Sequence, residues 1–223
     1  LSMRDNDPPA TLEEFVAWIC QQLSAKKNVE ASVSALAVLL RADRARSVFA
    51  AKDGVAMVTN MLKQRDNVQV QYELTFCLWT LSFSQPDAVL AGSSVEALVN
   101  QIAAAPREKV VRVSLAALRN LCQNNNENGF GDDRGVAARM IKCGLPKTLR
   151  TLRERPFTDP EITEDVEKLH KLLLSNYREL SSWEKYVAEV ESGDLDWGLT
   201  HSEAFWKENS KLAEADDFSL VKK

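Results

Sequence analysis

The chain has 223 residues, of which 45% are hydrophobic and 27% charged, with a formal net charge of −4. That length suits one large domain or an extended repeat array burying roughly 70% of its unfolded surface. The apolar share is ordinary for a globular protein and the charged share argues against a membrane protein; no stretch approaches the ~20 consecutive apolar residues of a spanning helix.

Charge is unevenly divided. Residues 157–223 carry 16 acidic and 8 basic side chains, whereas residues 1–156 carry 16 and 20, which predicts two regions with different surroundings. The basic half has no Lys/Arg stripe interleaved with aromatics, which weighs against nucleic-acid binding.

The opening LSMRDNDPPA has neither an initiator methionine nor an apolar leader, and predicts a piece of a longer protein without a secretory signal in these residues. Thr11-Leu-Glu-Glu14 reads as a capping box opening a helix that carries Phe15, Trp18, Ile19 and Leu23. Val33–Leu40 then reads as the last helix of a repeat unit.

A repeat emerges from Ser47 onward. SVFAAKDGVAMVTNML and QVQYELTFCLWTLSFS are followed by SSVEALVNQI and KVVRVSLAALRNLCQN, and the phrase returns at Gly144 as CGLPKTLRTL. Gly54 to Ser94 and Leu78 to Leu118 keep one offset of 40, and two anchors on different helices make this better evidence than a single match. The step from Ser94 to Gly144 is 50, with the excess in residues 124–135. Helical repeats of this length are the signature of armadillo- or HEAT-type solenoids.

Each unit parses into three helices. The short ones are Ser47–Lys52, Asp87–Ala91 and Val136–Cys143. Middle helices space apolar residues at Val55, Val58, Met61 and Leu62, at Val95, Leu98, Val99 and Ile102, and at Leu145, Leu149 and Leu152. The third helices, Val68–Leu81 and Val110–Leu121, are apolar on nearly every face, as expected of a helix sandwiched between repeats. Asp159-Pro160 starts a further helix to about Asn176. The expectation is an all-α, armadillo/HEAT-like right-handed solenoid, followed by a partly irregular connector.

Little in the chain suggests catalysis. Cys20, Cys77, Cys122 and Cys143 form no CxxC pair and read as buried free thiols of a reducing compartment. His170 and His201 lie far from any of them, so no metal site is expected. NGFGDDRG follows a helix and fits no phosphate-loop spacing, so it reads as an insertion between repeats. Asp132 and Asp133 suit the start of a helix better than acid–base work. No nucleophile context surrounds either histidine, and His201 falls in a second capping box, Thr200 to Glu203. No catalytic, cofactor-binding or metal-ligating residue is assigned. Solenoids present extended surfaces, so a binding role is the physical default.

In armadillo solenoids the third helices line the concave groove. Nuclear-import receptors of that type read basic peptides with a Trp on this helix and an Asn one turn later. The matching pairs here are Trp79 with Phe83 and Arg119 with Gln123. The groove therefore does not resemble a receptor for basic localisation peptides, and Trp79 is open to two readings, burial against the next repeat or ligand contact.

The stretch ELSSWEKYVAEVESGDLDWGLTHSEAFWKEN, residues 179–209, is acidic yet carries Trp183, Tyr186, Trp197, Phe205 and Trp206. Such aromatics, worth roughly 1.5–3 kcal/mol each when buried, either staple a connector to the solenoid end or form a partner-binding patch.

LSSWEKYVAEVESGDLDW with the following FWKEN resembles the segment joining the two helical domains in the H-subunit family of the vacuolar (V-type) proton-pumping ATPase. The likeness runs collinearly through EEFVAWICQQLSAKK, KDGVAMVTNML, LTFCLWTLSFS, AALRNL, MIKCGLPKTLRTL and DPEITEDVEKL. It implies the latter part of an armadillo-like domain over residues 1–176, an inter-domain connector over 177–215, and the start of a second helical domain over 216–223. It further implies a non-catalytic component of the cytosolic V1 sector that docks on the E and G subunits of the peripheral stalk. That family's C-terminal domain contacts the membrane-sector a subunit and restrains hydrolysis in detached V1. The alternative is a generic armadillo adaptor.

Overall fold

The computed structural model describes residues 9–64, 67–105, 107–127 and 133–179. All regular structure among them is α-helical, with no strand, as the sequence led us to expect. Helices α1 (Pro9–Ser24) and α2 (Val29–Leu39) precede three complete triplets. The first is α3 (Asp43–Ala50), α4 (Gly54–Leu62) and α5 (Val68–Ser84). The second is α6 (Pro86–Ala91), α7 (Ser94–Ala104) and α8 (Glu108–Glu127), and the third α9 (Asp133–Lys142), α10 (Leu145–Arg153) and α11 (Pro160–Glu179).

Several boundaries differ from the sequence reading. Helix α1 begins at Pro9, so Thr11 lies inside the helix and does not cap it. Proline suits a first helical position, where its missing N–H costs no hydrogen bond. Helix α3 begins four residues before Ser47, with Asp43 in its first turn bonded to Arg46 at 2.5 Å. The insertion between the second and third units narrows, because α8 runs on to Glu127 and α9 starts at Asp133. At α11 the reading holds: the Asp159 side chain accepts from the Glu161 N–H at 3.0 Å, an N-cap placed just before Pro160.

The corners between short and middle helices show why particular residues recur. At the first, Asp53 takes the left-handed conformation (φ 55°) and Gly54 opens α4. A Cβ on Gly54 would stand 2.5 Å from ring carbons of the fully buried Phe49, so only glycine fits. At the second, Ser94 opens α7 and its buried hydroxyl lies 2.8 Å from that of Thr59 on α4. At the third, Gly144 itself is left-handed (φ 79°) and Leu145 opens α10. Gly144 thus corresponds to Asp53, and aligning it with Gly54 and Ser94 is one residue out. The first and third corners use a positive φ, which glycine adopts freely and aspartate tolerates, whereas Ser93 turns the second at φ −95°.

The third helices α2, α5, α8 and α11 pack successively side by side. Leu74, Leu78 and Leu81 of α5 and Leu115, Leu118 and Leu121 of α8 are fully buried, each contributing about 1.5–3 kcal/mol. This explains their near-continuous apolar sequence. The four cysteines are free, as expected, but only Cys77 and Cys122 are buried; Cys20 and Cys143 are half-exposed.

Polar ties join each unit to the next. Arg46 donates to the carbonyls of Leu40 and Arg41 and to the Ser84 hydroxyl at 2.6 Å, closing the end of α2. Arg139 donates to the carbonyls of Leu90 and Gly92 beside the end of α6. Asn67 reaches Glu30, and Asn120 reaches Ser82. Helix C-termini leave carbonyls without partners, and these guanidinium groups supply donors to them.

Candidate interaction surface

Helices α2, α5, α8 and α11 lie side by side, and α5 carries an aromatic stripe along the face that they share. Tyr72, Phe76, Trp79 and Phe83 follow one another at intervals of four, three and four residues, which brings all four side chains to one side of a helix. Successive ring centroids are 6.4, 5.3 and 5.2 Å apart, the last pair meeting edge to face at 71°. Tyr72, Phe76 and Trp79 are half-buried against the core, whereas Phe83 is 52% exposed. Val38 on α2 is 54% exposed.

Cations stand on both sides of this stripe. The Arg41 guanidinium, just past α2, lies 5.7 Å from the Phe76 centroid, and the Lys109 ammonium of α8 lies 4.7 Å from that of Tyr72. Lys109 also donates to Gln69 at 2.8 Å. Among the described residues neither cation is paired with a carboxylate. Glu73 of α5 is occupied, accepting from Ser34 at 2.7 Å and Gln69 at 2.8 Å.

On α8 the face changes character. Arg112 pairs with Asp159 at 3.1 Å and with Glu161, and Arg119 pairs with the buried Asp165 of α11. Burial pushes the Asp165 carboxyl above its ordinary pKa, and the attraction of Arg119 only partly offsets this. Glu108 clamps the start of α11, accepting from the Thr158 N–H and hydroxyl at 3.0 Å and the Asp159 N–H at 3.3 Å. The Thr158 backbone N–H is the chief cause that holds the Glu108 carboxyl below its usual range.

The structure therefore brings Trp79 and Phe83 into direct ring contact, with Trp79 half-buried against the core. Arg119 is engaged within the chain by Asp165, and Gln123, one turn on, is exposed. Trp183, Tyr186, Trp197, Phe205 and Trp206 lie outside the described residues. Sequence reasoning missed Tyr72, Phe76, Arg41 and Lys109. The four-three-four spacing of the rings was a usable signal for the first two, while the cations come from neighbouring repeats and carry none.

No helix among the described residues is long and apolar enough to cross a membrane. No group of three or more His, Cys, Asp and Glu among them could hold a metal ion. The architecture defines the class: an armadillo-type helical solenoid. A solved designed armadillo repeat protein in complex with peptide (KR)4 superposes with a TM-score of 0.55 at 13% identity, covering 92% of this chain and 76% of that one. At that identity the likeness speaks for the fold alone.

The sequence narrows the class further. Two models of the V-ATPase H-subunit family match residues 2–173 and 179–223, and the chain belongs to that family. It is 33% identical over 220 residues to the V-type proton ATPase H subunit of Drosophila melanogaster, covering 96% of this chain and 47% of that protein. It is 31% identical over 217 residues to the second of the probable V-type proton ATPase H subunits of Caenorhabditis elegans, covering 95% and 46%. The chain thus spans about half the length of the curated relatives it matches.

Proposed function

We propose that this chain is a non-catalytic regulatory part of the V1 sector of a vacuolar proton-transporting ATPase, binding the E and G subunits of the peripheral stalk and supporting the coupling of ATP hydrolysis to proton transport. The observation that carries this reading is family membership along nearly the whole chain. The solenoid's broad third-helix face suits a binding role, since repeat stacks build extended surfaces and few enclosed sites. In this reading residues 1–176 form the armadillo-like part, 177–215 a connector and 216–223 the start of a second helical domain. The protein would sit peripherally on the cytosolic face of vacuolar or endosomal membranes. Contact with the membrane-sector a subunit would run through the second domain.

Calorimetric titration of the chain against purified E–G heterodimer at low and high salt tests the proposal. Saturable binding at one-to-one stoichiometry is expected, weakening with salt if charged groups carry it. A folded, helical chain that does not bind refutes stalk docking by these residues. A separate assay addresses regulation: added to V1 stripped of its H subunit, this chain should leave ATP hydrolysis undiminished. Inhibition would show that the restraint does not need the rest of the second domain.

A further inference from the structure

We propose that the aromatic stripe of α5 is a docking seam for an amphipathic helix of a partner protein, one whose apolar side is flanked on both edges by carboxylates. The inference concerns the chemistry of a surface and stands whether or not the stalk supplies that helix.

The spacing of Tyr72, Phe76, Trp79 and Phe83 is the a/d alternation of a coiled-coil seam, which runs nearly along the helix axis and accepts a second helix laid beside it. Eleven residues from Tyr72 to Phe83 make a seam roughly 16 Å long, about three turns of a partner. Along that line the rings are continuous, with centroids 5.2–6.4 Å apart.

Across the solenoid the surface is not continuous. Forty residues on from Phe76 and Trp79 stand Ala116 and Arg119, and Arg119 is tied to Asp165. An extended peptide crossing successive third helices would meet rings on α5 and an internal ion pair on α8. A helix lying along α5 meets rings throughout.

Charge selects the partner's edges. Arg41 approaches from the α2 side and Lys109 from the α8 side, and among the described residues neither has a carboxylate. Both flank the seam from the neighbouring repeats, as e and g charges flank a coiled-coil core, where opposite signs set partner choice. Phe83 and Val38, each more than half exposed, supply the apolar surface that a helix would cover.

The test uses the full chain and two labelled peptides of three heptads, both with Leu at a and d, one with Glu and the other with Lys at e and g. Fluorescence anisotropy should show saturable binding of the Glu peptide, at least about tenfold tighter than the Lys peptide and weaker in high salt. Peptide (KR)4 should not compete. Phe83→Ala, at an exposed position that leaves the fold intact by circular dichroism, should weaken binding about tenfold or more. Joint Arg41→Glu and Lys109→Glu substitution should shift preference to the Lys peptide. Absence of saturable binding, equal affinity for the two peptides, or indifference to Phe83→Ala would each overturn the proposal. So would a dimer of the chain in sedimentation that dissociates with Phe83→Glu, because the occupant would then be a second copy.

Discussion

Replacing Gly54 with alanine sets a steric clash against a gain in helix propensity, and the geometry decides the sign. The added methyl would stand 2.5 Å from Cδ1 and Cε1 of Phe49 and 2.6 Å from Cζ, against an optimum near ~3.5 Å between carbons. Phe49 is fully buried, so its ring cannot swing into solvent and must displace its neighbours. Overpacking of this kind costs about 1–3 kcal/mol, while exchanging glycine for alanine in a helix returns about 0.5–1 kcal/mol. A net loss of about 1–2 kcal/mol follows, a fall in Tm of roughly 2–8 °C for a chain of this size. Thermal unfolding followed by circular dichroism measures it. Gly92→Ala is the internal control: a Cβ there meets nothing within 4 Å and its φ is −103°, so stability should hold or rise slightly. Phe49→Leu should cost less in the Gly54→Ala background than alone, since the two changes share one space. A Gly54→Ala protein as stable as the parent, or penalties that simply add, would refute the steric account.

Three further outcomes follow from the ion pairs and thiols. Arg119→Ala leaves the Asp165 carboxylate buried without its cation and should cost about 2 kcal/mol, less than for a wholly buried pair because Arg119 is partly exposed. The joint Arg119→Met, Asp165→Leu variant should recover most of that loss in the same melting assay. Glu108 has a lowered pKa, so the stability it adds is present above its unfolded value near ~4.3 and is lost as pH falls through the lower folded value. Glu108→Ala should therefore flatten the acid side of the stability–pH curve, with both proteins converging once the carboxyl is protonated. Burial raises the pKa of Cys77 well above that of a free thiol; it also raises those of Cys20 and Cys143, whose side chains stay half-exposed. A thiol reagent at alkaline pH should label Cys20 and Cys143 in the folded protein and Cys77 and Cys122 only on unfolding, as read by mass spectrometry.

The 40-residue offset made the solenoid legible because each unit must bury the same faces, and Leu78 and Leu118 occupy equivalent buried places. Helix ends were less legible. Thr11 to Glu14 has the letters of a capping box, yet Pro9 two residues earlier starts the helix, and the same letters fit a helix interior. The proposed docking face was half-hidden for a related reason. Helix α5 is apolar almost all round, so its stripe of partly exposed rings does not stand out from the buried leucines between them. The partners of Arg119 and Arg112 lie 46 to 49 residues away on α11, a distance at which sequence pattern carries no pairing information. Gly54 was conspicuous as a corner residue, but the ring that requires it became visible only in three dimensions.

The polar ties described above, Arg46 to Leu40, Asn67 to Glu30, Asn120 to Ser82, Arg119 to Asp165 and Arg139 to Gly92, each join one unit to its neighbour and stop. Mechanically such a molecule is a spring of short links: a load applied at one end is passed on through each junction in turn, and every junction yields a little. Bending is shared among the units, and rupture under tension should proceed unit by unit, in a series of small steps.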